Sequence, residues 1–283
     1  MSDALLSVTD LKKRFPLRSP VLQRVVGEKV VLDGITFDLD RGETLGIVGE
    51  SESGKSTLLR VLLGVVEASS GEMLLDGQPL HPRIKDRPNS IKRRIQMVFQ
   101  DPSKALHPRM TVFRSLAETY RIFGTESDKS IDQQIAQLLN LVGLSSHLAR
   151  RYPHQLSGGQ RQRVVVARAL AGKPDILLCD DPITALDVSL SAQVLNLFLD
   201  LQEHLGLTYI FVTNDLAVLR QLAHRIAILR QGSFVELSEA KRIYSHPEDG
   251  YTRELLEAAP SIQRGLQRGL QTEGSTSGRT ETP

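Results

Sequence analysis

The first sign of chemistry lies in nine consecutive residues, Gly49-Glu50-Ser51-Glu52-Ser53-Gly54-Lys55-Ser56-Thr57. They follow the short apolar run Leu45–Val48 and open onto Ser56–Val66, an apolar stretch of helical length. Strand, glycine-bearing loop and helix in that order form a phosphate cradle. Backbone amides of the loop and of the helix N-terminus surround phosphate oxygens, because helix starts carry unpaired N–H groups and a positive dipole end. Lys55 adds a mobile positive charge, and the Ser56 hydroxyl is a ligand for Mg²⁺. A Gly/Ser-rich turn with a chance Gly-Lys-Ser is the competing reading, and the strand–loop–helix frame makes it the poorer one. The residue order points to nucleotide binding.

Ile176–Asp181 (ILLCDD) is an apolar strand that ends in two acids. An acid at the C-terminal edge of a parallel sheet, beside such a loop, can hold Mg²⁺ directly or through water. Alone the signal is weak, since many strands end in Asp. With the phosphate loop it makes Asp180 the metal partner and Asp181 the candidate for orienting an attacking water. Magnesium with a nucleoside triphosphate is the implied cofactor set.

Elements must position these groups. Val30–Leu39 alternates around an Asp33-Gly34 turn signal, Glu43–Val48 is a short apolar strand, and Gly71–Leu80 reads as a strand with a turn at Asp76-Gly77. Ile91–Gln100 is a basic approach to a strand that stops at Asp101-Pro102. From Thr111 to Val142 the apolar period becomes helical, with Ile131, Ile135, Leu138, Leu139 and Val142 on one face. Arg161–Ala171 and Ala192–Leu205 read as helices, and Ile176–Leu178, Thr208–Val212 and Arg225–Leu229 as strands. Strands separated by helices predict an α/β fold with a mainly parallel sheet and a helical block inserted after Gln100.

Composition narrows the class. The chain has 283 residues, 40% of them hydrophobic, which is enough for a core and excludes a fibrous or wholly disordered chain. Lys+Arg 35 against Asp+Glu 33 leaves a formal +2, so no bulk field draws nucleic acid or anionic lipid. The lone Cys179 excludes an internal disulfide, a multi-cysteine zinc site and a four-cysteine iron–sulfur cluster. Met1–Phe15 carries Asp3 and Asp10 and does not read as a signal peptide. No run approaches the roughly 18 apolar residues that a spanning helix needs, so work at a membrane implies a peripheral subunit held by other chains. Ser261–Pro283, with its RGLQRGLQ duplication at Arg264–Gln271, reads as a polar, disordered tail or else a partner-binding segment.

Leu156-Ser157-Gly158-Gly159-Gln160, followed by Arg161-Gln162-Arg163, resembles the signature sequence of the ATP-binding cassette (ABC) ATPases. A serine hydroxyl and glycine amides at a helix N-terminus make a second phosphate-binding surface. The resemblance implies that this surface touches ATP held by the other subunit of a head-to-tail dimer. Phe99-Gln100-Asp101-Pro102 is similar to the family's glutamine loop, which implies that Gln100 joins Ser56 and Asp180 at Mg²⁺ and takes part in catalysis. Ala185-Leu186-Asp187 is similar to its D-loop, and Phe15 to its early aromatic, which implies a stack on adenine; as a lone Phe it reads equally as core.

The resemblance spans about Leu6 to Pro260. It implies a P-loop ABC-type core over residues 1–260, with an antiparallel β part and a helical subdomain at about 101–163. LKKRFP, FQDPSKALHPRMTV and SHPEDGYTRELLEAAP are most similar to the oligopeptide/dipeptide/nickel importer ATPases, particularly the second of their paired ATPase subunits. Gly250 stands where that ending usually has proline, and the cysteine cluster some members carry is missing. The implied partners are a second ABC ATPase subunit (a heterodimer, or alternatively a homodimer), two membrane permease subunits and, indirectly, a solute-binding protein. The implied location is the cytoplasmic face of the inner membrane. A regulatory or structural ABC protein that dimerises on ATP is the alternative, although the long coiled-coil or zinc-bearing insertions of such relatives have no counterpart here.

Three departures from the family fall on this chain's own site. Glu52 takes a place where the loop usually has a middle glycine, and a side chain there strains the loop. Asp181 replaces the usual catalytic glutamate and is one methylene shorter. Asn214 stands where a switch histidine is usual; it can donate a hydrogen bond to a γ-phosphate but cannot become cationic. Together they predict a site that binds ATP and turns it over slowly, against the alternative of a normally active enzyme. His107, His147, His154 and His246 show no metal-ligand spacing, and Lys92-Arg93-Arg94 reads as a solvated face.

Overall fold

The computed structural model describes residues 4–18, 24–123, 128–184 and 186–258. The expected tail at 261–283, Pro260 and Ala185 of the D-loop lie outside them. An antiparallel sheet, ordered β2-β1-β4-β5, is made by β1 (Leu6–Arg18), β2 (Val25–Leu39), β4 (Ser70–Leu75) and β5 (Gln78–Pro79). The second sheet has the order β10-β9-β3-β8-β7-β6, from β3 (Thr44–Val48), β6 (Ile95–Val98), β7 (Ile176–Asp180), β8 (Thr208–Val212), β9 (Arg225–Arg230) and β10 (Ser233–Glu239). Its strands β9 to β6 run parallel, and β10 closes one edge antiparallel to β9.

The helices are α1 (Lys55–Leu63), α2 (Asn89–Lys92), α3 (Pro102–Ala105), α4 (Val112–Phe123), α5 (Asp128–Leu141), α6 (Gly158–Leu170), α7 (Val188–Leu205), α8 (Leu216–Leu222), α9 (Ala240–Ser245) and α10 (Gly250–Glu257). None among the described residues is long and apolar enough to cross a membrane.

The parallel strands are mostly apolar, with polar residues chiefly at their ends, because both faces are covered. Successive residues supply two separate cores. Leu177, Cys179, Tyr209, Phe211, Ile226 and Ile228 face a core shared with α4, α5, α6 and α7. Ile176, Leu178, Ile210, Val212, Ala227 and Leu229 face a second core, filled by α1 and the antiparallel sheet. This period of two is the pleat of a strand. It holds the C-terminal ends of β3 and β7 at one edge of the sheet, on either side of β8, where the loop and the acid pair follow.

Two expectations fail. The Asp33-Gly34 signal is no turn: β2 runs unbroken from Val25 to Leu39. Gly34, at φ +76, sits where the register against β1 shifts, so the pair makes a bulge within the strand. Arg94, read as part of a solvated basic face, is instead a tie between loops, donating from Nε to Asp175 at 2.5 Å and from Nη2 to Asp76. Those carboxylates lie far along the chain in both directions, so spacing alone could not pair them.

Candidate nucleotide site

The loop between β3 and α1 turns sharply. Gly54 has φ +111, and a Cβ there would come within 2.6 Å of the Val31 carbonyl oxygen. Only glycine fits such a backbone at such an approach. Gly49 is equally confined, since a Cβ would lie 2.1 Å from the Leu229 carbonyl oxygen. Glu52 also has a left-handed backbone, at φ +66, and its side chain is exposed. A glycine at that position would carry no Cβ penalty, which gives the physical reason for the family's preference.

The Lys55 ammonium folds back over the loop and donates to the carbonyl oxygens of Gly49 at 2.7 Å and Glu50 at 2.6 Å. Burial lowers its pKa, opposed by the charges of Asp181, Asp180 and Glu50. Ser56 Oγ donates to Asp180 Oδ1 at 2.8 Å. Burial raises the Asp180 pKa, and the Ser56 hydrogen bond opposes that rise. A buried carboxylate that wants positive charge, a hydroxyl on it and the Gln100 carboxamide nearby form a hard-oxygen donor set suited to Mg²⁺. That ion is usually held by one or two carboxylates and completes its shell with other oxygens, water and phosphate among them.

Asp181 follows at the strand end with φ +47, its amide donating to the Val212 carbonyl at 2.8 Å. Its Oδ1 accepts from Thr184 Oγ1 at 2.5 Å and from Thr213 Oγ1 at 3.0 Å. Its Oδ2 lies 3.5 Å from Gln100 Nε2. One carboxylate oxygen is therefore clamped by two threonines that nothing in the sequence marks, while the other faces the glutamine.

These groups border one cavity of about 390 Å³, lined by Ser51, Glu52, Gly54, Lys55, Ser56, Thr57, Gln100, Asp180, Asp181 and Asn214, with Lys29 and Val31 from β2. The exposed Asn214 projects at its rim. Phe15 is not among the lining residues. It lies on β1 directly across from Lys29, 37% exposed, with the Lys13 ammonium 4.7 Å from its ring centre. It joins neither core, so the core reading of Phe15 is excluded.

The loop Leu156–Gln160 is elsewhere and borders none of this cavity. Ser157 caps α6: its Oγ accepts from the Gln160 amide at 3.2 Å, and Gln160 Oε1 accepts from the Ser157 amide at 3.0 Å. Two otherwise unpaired helix-start donors are thus satisfied reciprocally. Leu156 is buried and anchors the loop, and Gly158 has open space where a side chain would go. Asp187 is occupied in capping α7, accepting from the Leu190 amide at 2.9 Å.

Residues 32–184 match the family model described as ABC transporter. The chain belongs to that family. The cassette is 45% identical over 267 residues to a protein of Brucella abortus named as a putative peptide import ATP-binding protein, covering 93% of this chain and 79% of that one. It is 42% identical to the glutathione import ATP-binding protein GsiA of Escherichia coli, over 94% of this chain but 42% of that longer protein. Among solved structures, the dimeric post-hydrolysis state of an ATP-binding cassette bound to ADP and Pi matches with a TM-score of 0.70 and 28% identity, covering 83% of this chain and 98% of that one. The cassette cbiO1 from Clostridium perfringens matches with a TM-score of 0.72 and 25% identity, covering 94% of this chain and all of that one. This chain is an ABC-type ATPase.

Proposed function

We propose that this ABC ATPase is one of two ATP-binding subunits of a membrane importer for peptides, nickel or similar small solutes, held at the cytoplasmic face of the inner membrane by two permease subunits. The observation that carries the transport reading is 45% identity, over nearly the whole chain, to a relative named for peptide import. The groove beside Gln100, about 300 Å³ with Phe99 and Ile122 exposed at its wall, is the docking place proposed for the permease pair.

In this reading the amides of residues 49–57 receive the triphosphate, and Lys55 leaves the Gly49 and Glu50 carbonyls to reach its oxygens. Phe15 stacks on the adenine. Ser56, Asp180 and Gln100 hold Mg²⁺, which neutralises charge on the phosphates when bound. Asp181, with Oδ1 pinned by Thr184 and Thr213, offers Oδ2 to the attacking water. Asn214 donates a hydrogen bond to the γ-phosphate and can relay no proton. The carboxylate is one methylene short of a glutamate, and a misplacement of about 1 Å costs roughly a hundredfold. Chemistry at this site is therefore slow. The Ser157 hydroxyl proton, free while its oxygen lone pair caps the helix, serves the ATP of the partner subunit, as do the amides of Gly158 and Gly159. The assembly is a heterodimer with one weak and one strong hydrolytic site.

Copurification of the assembled membrane complex, followed by solute-stimulated phosphate release, tests the reading. The expected result is stimulation, cut about a hundredfold by Ser157→Arg, the size expected for loss of one preorganised donor. ATP binding by the isolated chain carrying Ser157→Arg is expected to stay within twofold of the parent. Equal loss of both would sink the trans role, and an assembly that dimerises on ATP without any permease would favour the regulatory alternative.

A further inference from the structure

The phosphate loop is held from behind by a part of the chain two hundred residues away. The Glu50 amide donates to the Tyr251 hydroxyl at 3.2 Å. Tyr251 belongs to α10, is 4% exposed, and carries the Arg230 guanidinium 4.5 Å from its ring centre. A second hold comes from the turn between β9 and β10, where the Gly232 amide donates to the Ser53 carbonyl at 3.1 Å.

The placement of Tyr251 is over-determined. Asp249 caps α10 by accepting from the Tyr251 amide at 2.8 Å and the Thr252 amide at 3.4 Å. The buried Glu236 of β10 accepts from the amides of Glu248 at 3.0 Å and Asp249 at 3.1 Å, which fastens the start of the helix to the sheet edge. Gly250 is the first helical residue, with open space around its Cα and an extended residue before it. Proline is favoured at that position, and the usual proline of this ending would stiffen the same delivery.

We infer that Tyr251 is a positioning residue for nucleotide binding, its hydroxyl fixing the first peptide of the phosphate loop through the Glu50 amide. The inference rests on reading residues 49–57 as the nucleotide site. The Gly49–Glu50 peptide is held on both sides, its carbonyl by Lys55 at 2.7 Å and its N–H by Tyr251. When Lys55 turns to phosphate, the Tyr251 hydroxyl is the hold that stays. A loop with Glu52 at φ +66 stores backbone strain, and strain persists only where neighbours over-determine the conformation. Tyr251 and Gly232 supply that constraint at two hydrogen bonds flanking the strained residue, one from the Glu50 amide to the Tyr251 hydroxyl and one from the Gly232 amide to the Ser53 carbonyl.

The test uses the full 283-residue chain carrying Tyr251→Phe, which removes one oxygen and keeps the ring on Arg230. Leu256→Ala, in the same helix and packed on the helical core, serves as a purely structural control. Expected for Tyr251→Phe are faster hydrogen exchange at the Glu50 amide, a MgATP affinity weaker by about threefold to tenfold, the worth of one hydrogen bond, and an unchanged melting temperature without nucleotide. Leu256→Ala is expected to lower the melting temperature and leave affinity alone. Parental affinity and parental Glu50 exchange in Tyr251→Phe would overturn the inference, as would affinity losses in both variants that track their melting temperatures. A parent that binds no MgATP would overturn the nucleotide-site reading itself, and this inference with it.

Discussion

Between Leu156 and Gln160 every residue has an ordinary backbone, and Ser157 and Gln160 satisfy one another's amides without outside help. Between Gly49 and Gly54 the chain passes through a left-handed Glu52, packs glycine against two foreign carbonyls, and is clamped by Tyr251 and Gly232 from the far end of the sequence. The signature loop is a local structure that leaves its serine exposed. The phosphate loop is strained and depends on its surroundings. The three departures from the family lie in or beside the dependent loop and spare the local one, so in this reading the chain keeps its service to a partner while its own chemistry is weakened.

The sharpest way to break that contrast is at the lysine. Lys55→Ala is expected to weaken MgATP binding by roughly a hundredfold, because charge-assisted hydrogen bonds to phosphate are among the strongest a side chain makes. Calorimetry reads it directly, and unchanged affinity would remove the phosphate loop from the comparison.

A smaller effect sharpens the contrast from the other side. Restoring both catalytic groups, Asp181→Glu with Asn214→His, is expected to raise steady-state phosphate release about tenfold, and by more than the two single changes together, since groups acting in one transition state are non-additive. Brisk parental turnover with no gain in any variant would show that the site was never impaired. The left-handed φ of Asp181 favours Asp over Glu slightly, so the gain belongs in turnover and not in stability.

The smallest effect concerns strain alone. Glu52→Gly relieves a left-handed backbone worth about 1–2 kcal/mol and adds about 0.5–1 kcal/mol of glycine chain entropy. The net expectation is a stabilisation of about 0.5–1 kcal/mol, read as a shift in denaturant midpoint at constant slope. Destabilisation would mean that the Glu52 side chain makes a compensating contact.

What the sequence determined by itself is what depends on neighbours along the chain. The strand–loop–helix at residues 45–63, the acid pair ending β7 and the serine and glycines at the start of α6 all lie within short windows, and period and residue order report them directly. The same holds for the parallel strands and for the helical faces of α5 and α7. Tertiary structure alone decided the pairings between distant segments. It turned the Asp33-Gly34 signal into a bulge, because pairing with β1 outweighs a local turn preference. It made Arg94 a tie between Asp76 and Asp175, added Thr184 and Thr213 to one oxygen of Asp181, and brought Tyr251 to Glu50. A hydrogen bond across two hundred residues leaves no periodic trace in either segment, because its geometry is fixed by how β9, β10 and α10 pack around the end of β3.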